Sequence, residues 1–133
     1  MKLSKEQRGS QLVEFALIIP ILILLFLGII EFGVLYHKQI EIDNGVREAG
    51  RVGSLGYSNA DVIDTLKNEC AFDIADTWIT ITVTDPEGQL ADSEDRTPGS
   101  RINIHVALPL TSVTNLPFAD GLVLHAGVEY LIE

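Results

Sequence analysis

The chain is short of basic residues and nearly devoid of cysteine. It carries 9 Lys and Arg against 19 Asp and Glu, a formal net charge of −10 over 133 residues. Nucleic acid is held by neutralising phosphates with Lys and Arg, so this balance excludes a nucleic-acid partner. It also argues against peripheral attachment to anionic lipid, which needs basic clusters. Cys70 is the single cysteine, so no intrachain disulfide can form. At its place on a short amphipathic stretch it reads as a small buried hydrophobe rather than a reactive thiol. No nucleophile–base signature, phosphate loop or zinc-ligand spacing occurs. His37, His105 and His125 are scattered, and solvated strand histidines explain the last two better than a metal pair does. Asp92, Glu94 and Asp95 share a loop but lack the Asp-x-Asp-x-Asp-Gly order of a calcium loop, so a solvated acidic loop is favoured. The expectation is no enzyme activity, no cofactor and no metal.

Hydrophobic residues make up 47% of the chain and are concentrated in its first third, so the average conceals two different solvents. From Phe15 to Tyr36 the only charged residue is Glu31. A helix over this stretch spans about 33 Å, enough to cross a bilayer. Lys2, Lys5 and Arg8 precede it and the region after Lys38 turns acidic, which places the N-terminus in the cytoplasm and the bulk of the chain outside it. A secretory signal peptide would need a small-x-small site just past the apolar run. The run passes instead into Glu31-Phe32-Gly33-Val34-Leu35-Tyr36-His37-Lys38. Pro20, inside the span, withholds one backbone donor and predicts a kink or loosened turn. Gly28 is a second soft point.

Glu14 stands at the mouth of this apolar run. A carboxylate carried unpaired to the bilayer centre costs at least ~2.5 kcal/mol, and the nearest remedy is a positive charge made beside it. Cutting the Gly9–Ser10 bond makes one, the α-amino group of Ser10, with Glu14 then the fifth residue. The arrangement Arg8-Gly9-Ser10-Gln11-Leu12-Val13-Glu14-Phe15 resembles a prepilin cleavage signal of the Flp-type (tight adherence) pilus system. The block Gly9 to Pro20, the second Glu-Phe-Gly at Glu31-Phe32-Gly33, and Arg47-Glu48-Ala49-Gly50-Arg51 together resemble the TadE-like pseudopilin family. The resemblance covers about the first 55 residues and is specific as a set. It implies a prepilin peptidase that removes residues 1–9, recognition and assembly roles for Glu14 and Phe15, and pseudopilin and inner-membrane assembly partners. The repeated Glu-Phe pair tips Glu31 toward an assembly contact, against simple reach to the outer headgroup layer.

Past the membrane the helix is expected to continue to about residue 55, roughly 69 Å in all. Tyr36, Ile40, Val46, Ala49 and Val52 share a broad apolar face. Gly45, Ala49 and Gly53 form a small-residue stripe that admits a close backbone. The chain's own sheet is the first reading for its occupant, a neighbouring subunit the sharper one. Ser58 reads as the N-cap of a short helix bearing Val62, Ile63, Leu66 and Cys70. Ile79, Ile81 and Val83 alternate with Trp78, Thr80, Thr82 and Thr84 in a strand. Asp85-Pro86-Glu87-Gly88 is a turn, followed by loop to Ser100. A second strand runs from Arg101 to Leu108, Pro109 and Pro117 bracket a loop, and a third strand spans Leu122 to Ile132. The expected fold is α+β and pilin-like: a long N-terminal transmembrane helix packed on an antiparallel sheet of about three strands.

The organisation expected is a leader (1–9), a transmembrane part (10–36), a helical continuation (37–55) and a small extracytoplasmic domain (56–133). The function expected is a minor pseudopilin, single-pass in the bacterial inner membrane. Two alternatives stay open: a membrane-anchored binding module that never polymerises, and a minor pseudopilin of a type II-like secretion system.

Overall fold

The computed structural model describes residues 5–114 and 121–133, with side chains from Gly9 onward. Helix α1 runs from Lys5 to Ser54, 50 residues or about 75 Å. It is unbroken through Pro20, although that residue still leaves the Ala16 carbonyl without its usual donor. The expected loop between Pro109 and Pro117 is described only as far as Thr114; Pro117 lies outside the described residues.

The remainder is an α+β domain seated on the C-terminal half of α1. Helix α2 (Asn59–Asn68) begins with a reciprocal cap, in which the Ser58 hydroxyl accepts from the Asp61 amide and the Asp61 carboxylate accepts from the Ser58 amide. This satisfies two of the donors that a helix start leaves free. Strands β1 (Ile79–Thr84), β2 (Leu90–Ala91), β3 (Arg101–Pro109) and β4 (Val123–Leu131) form one antiparallel sheet in the order β2-β1-β3-β4. The fourth strand, β2, falls where sequence reading places only loop. The Asp85–Gly88 turn folds the chain back just far enough to pair Val83 with Ala91 and Thr84 with Leu90, and two residues are too few to show an alternating pattern.

Ile102, Ile104, Val106 and Leu108 of β3 point inward at every second position, with Ala126 of β4 and Val83 of β1 on the same side. Against them α1 presents Leu35, Ile42, Val46 and Ala49, and α2 presents Val62 and Leu66. The core face of α1 is thus rotated from the one its apolar residues suggest: Tyr36 and Ile40 are exposed, while Ile42 is fully buried. The periodicity of a helix that is apolar on all sides cannot fix the orientation of the stretch that follows it. Trp78 also departs from expectation. A 3-10 turn, Asp76–Trp78, precedes β1 and packs the indole against the core instead of leaving it on the outer face.

The strands run lengthwise along α1. At one end the Glu133 amide donates to the Ser54 carbonyl at 3.1 Å. Nearer the middle of α1, the Gln39 side-chain amide donates to the His125 carbonyl at 3.0 Å. The domain therefore has a far end at Ser54 and a foot toward the apolar half of the helix.

Candidate functional site

From Leu12 to Ile30 the large apolar side chains of α1 project outward on all sides, most of them more than half exposed. Water does not tolerate such a surface over so many turns, whereas lipid does. Among the described residues, 9–54 contain one span long and apolar enough to cross a membrane, and none of that span is buried against the others.

Gly9 and Ser10 lie within α1 and are exposed, and a Cβ at Gly9 would meet none of the described residues within 4 Å. Glycine lowers helix stability by about 1 kcal/mol relative to alanine, so this is a locally weak turn. Glu14 and Phe15 follow on the open helix surface, exposed like Pro20. The hollow among Gln11, Leu12, Glu14, Phe15 and Ile18 has only the one helix for its wall among the described residues.

Glu31 is placed differently. It is 1% exposed, and its carboxylate accepts from the Val113 amide at 3.0 Å, the Thr114 amide at 3.0 Å and the Thr114 hydroxyl at 2.7 Å. The loop after β3 thus closes over the first residue past the apolar run. Two successive backbone N–H groups aimed at one carboxylate satisfy the rule that buried polar groups find partners. Glu31 also begins the stripe that faces the domain, since Leu35, Ile42, Val46 and Ala49 follow it at helical spacing. Sequence reading could not find these donors, because 82 and 83 residues separate them from the acceptor.

Replacing Glu31 by alanine leaves those donors without a partner. Amide exchange at Val113 and Thr114 is expected to quicken by roughly tenfold or more while the amides of β1 and β3 keep their protection. Unchanged exchange at both positions would show that the carboxylate does not hold the loop.

The small-residue stripe meets the chain's own domain. A Cβ on Gly45 would lie 3.2 Å from the Leu66 carbonyl and 3.4 Å from the Cys70 sulfur, Ala49 is fully buried, and Gly53 abuts Ile102 and Val62. Gly50 was missed. It receives the Tyr130 ring and Val128 of β4, and its signal is the Ala49-Gly50 pair, two adjacent small residues on the helix.

The remaining candidates resolve into local structure. Glu94 accepts from the Asn59 amide at the start of α2, and Asp95 accepts from the Thr97 amide and hydroxyl, which hold its carboxyl below the ordinary range. Arg96 straps this loop to α2 through the Tyr57 carbonyl and the Asn59 side chain. Burial pushes the Cys70 thiol up to about 11, with Glu41 and Glu69 adding to the effect, so little thiolate exists at neutral pH. His105 and His125 are diagonal neighbours on the exposed face of the sheet, ring centroids 5.3 Å apart.

Residues 9–51 match the model of a family described as TadE-like protein. No curated protein and no solved structure matches the chain.

Proposed function

We propose, from the match of residues 9–51 to the TadE-like family model, that this chain is a minor pseudopilin of the tight adherence pilus system. It is anchored by a single helix and assembled through it. The observation that carries this reading is the division of α1 into two surfaces. One half is committed to the chain's own domain, and the other is apolar on every side and covered by none of the described residues. A helix that packs its own sheet at one end and leaves the other end bare suits lateral packing with other helices as well as lipid.

In this reading a prepilin peptidase on the cytoplasmic side of the inner membrane cuts between Gly9 and Ser10. The membrane part then starts at Ser10, and the domain stands on the extracytoplasmic side. It joins other pseudopilins and inner-membrane assembly proteins there. Glu14 pairs with the Ser10 amine of a neighbour and sets the register of helices whose apolar contacts have none. The structure also supports a shorter membrane segment than the apolar run alone suggests. Glu31 and Leu35 are engaged by the domain, so the part free to enter lipid ends at Ile30. From Ser10 to Ile30 the helix measures about 32 Å, still a full hydrocarbon thickness.

The test is the N-terminal mass of full-length protein recovered from membranes of cells with an active prepilin peptidase. The mature chain is expected to begin at Ser10, and Gly9→Trp is expected to accumulate as the uncut precursor, heavier by the leader. An intact Met1 terminus in the native protein would reject the pseudopilin reading in favour of a membrane-anchored binding module.

A further inference from the structure

The bond between Glu31 and the loop after β3 has a consequence for how the domain meets the membrane. The Val113 amide is 3.0 Å from the Glu31 carboxylate, and Glu31 directly follows the lipid-compatible stretch ending at Ile30. Val113 is therefore held at the level where the helix leaves the bilayer, and its side chain is 59% exposed. Beside it lies the start of β4. The Leu110 amide donates to the Leu122 carbonyl at 2.9 Å, and Pro109 pairs with Val123. Leu122 and Val123 are exposed as well, as are Phe32 and Tyr36 on the facing turns of α1.

Charge is distributed to match. In a chain of net charge −10, the described residues from Val106 to Thr114 and from Gly121 to Val128 hold no Asp, Glu, Lys or Arg. The first charges on the domain side above Glu31 are Lys38, beside Phe72, and Glu41, beside Ala71, about two and three turns along α1. The far end of the domain carries Arg51, Asp61, Asp64, Glu87, Arg101 and Glu129. An acidic domain set close to a membrane is repelled by anionic headgroups unless the surface it presents is neutral.

We infer that the foot of the domain, Val113 with Leu122 and Val123, is a second membrane contact that sits in the headgroup–acyl boundary of the bilayer α1 crosses. Phe32 and Tyr36 occupy the same layer, where aromatic side chains are stable. The occupant is lipid because the foot is continuous with the lipid-facing helix and lies at its exit level. Apolar side chains lodged at this depth gain transfer free energy without spanning. The contact holds the domain upright on its helix and shields the Glu31 carboxylate. The inference rests on α1 crossing a bilayer.

The experiment uses the full chain with Cys70→Ala, carrying single cysteines labelled with a small fluorophore at Val113, Leu122, Leu90 or Leu24. The proteins are reconstituted in phosphatidylcholine vesicles whose acyl chains are brominated either near the glycerol or near the methyl end. Leu24, about 9 Å inside Ile30, marks the interior of the span, and Leu90, 79% exposed on β2, marks the far end. Labels at Val113 and Leu122 are expected to lose about half their emission or more to the shallow bromines, the Leu24 label to the deep ones, and the Leu90 label to neither. Two sites guard against a label that disturbs the loop at one of them. If Leu24 is quenched while Val113 and Leu122 behave like Leu90, the domain stands clear of the lipid and the inference fails with the anchor intact. If Leu24 is not quenched either, the anchor itself is wrong and the inference falls with it.

Discussion

A Glu14→Ala protein is expected to insert and fold normally yet fail to assemble. The reason lies in where the domain fixes the helix. In the proposed membrane placement, with Glu31 clasped by the loop at the outer boundary, Glu14 is about 26 Å back along α1, inside a hydrocarbon layer of about 30 Å. Alanine there is more soluble in lipid than an unpaired carboxylate by at least ~2 kcal/mol, so insertion does not suffer. The assembled state does. In the proposed assembly, a neighbour's Ser10 amine drawn into a helical bundle without its carboxylate is a buried charge left single. Breaking such a pair costs about 3–5 kcal/mol, some hundredfold or more in association. The measurement is co-purification of full-length Glu14→Ala with its assembly partners, alongside its recovery in the membrane fraction and its thermal midpoint. Normal co-purification would remove the carboxylate from the registration role. Loss of membrane recovery would instead show that Glu14 serves targeting. Glu14→Gln, which keeps the shape and drops the charge, should behave as alanine does.

The legible part of this protein was the part governed by nearest neighbours in sequence. The apolar span, the Ser58 cap and the alternation of β3 each follow from residues contiguous in sequence, and the structure carries all three. The sheet was read one strand short because β2 owes its existence to the return of the Asp85–Gly88 turn and to the partner it finds in β1, with no hydrophobic pattern of its own. The helix face was misjudged at Tyr36 and Ile40. Ile42 takes the buried place instead, because where apolar residues lie on more than one face of a helix only the position of the partner sheet decides which are buried. Glu31 shows the same limit at the candidate site. Its burial is settled by amides more than 80 residues away, so its sequence neighbourhood offered a membrane-interface reading and an assembly reading but could not offer the loop.

The glycines of α1 divide by what they touch, and substitution should divide them in the same way. At Gly53 a Cβ would lie 2.6 Å from the Ile102 Cδ1 atom and 3.3 Å from Val62, both fully buried. At Gly50 it would lie 2.5 and 2.7 Å from two carbons of the Tyr130 ring and 2.9 Å from Val128. A Cβ at Gly33 or Gly28 would meet none of the described residues within 4 Å. Alanine gains about 1 kcal/mol of helix propensity at any of these positions. At Gly28 and Gly33 that gain stands alone, so stability should hold or rise. At Gly53 it is opposed by overpacking of about 1–3 kcal/mol, because Ile102 is walled in by the sheet and α2. Tyr130 is only half-buried and can swing outward, so Gly50→Ala should be the milder of the two. A larger side chain at Gly53 ends the balance: Gly53→Val adds branched carbons where one already collides, and the domain is expected to lose about 3 kcal/mol or more, a fall of at least roughly 12 °C in its melting midpoint. Thermal melts of the full chain in detergent, read on the strand signal, give the comparison. If Gly53→Val melts with Gly33→Ala, α1 and β3 do not meet at this glycine. The seating of the domain on the helix, from Ser54 down to the loop at Glu31, would then have to be redrawn.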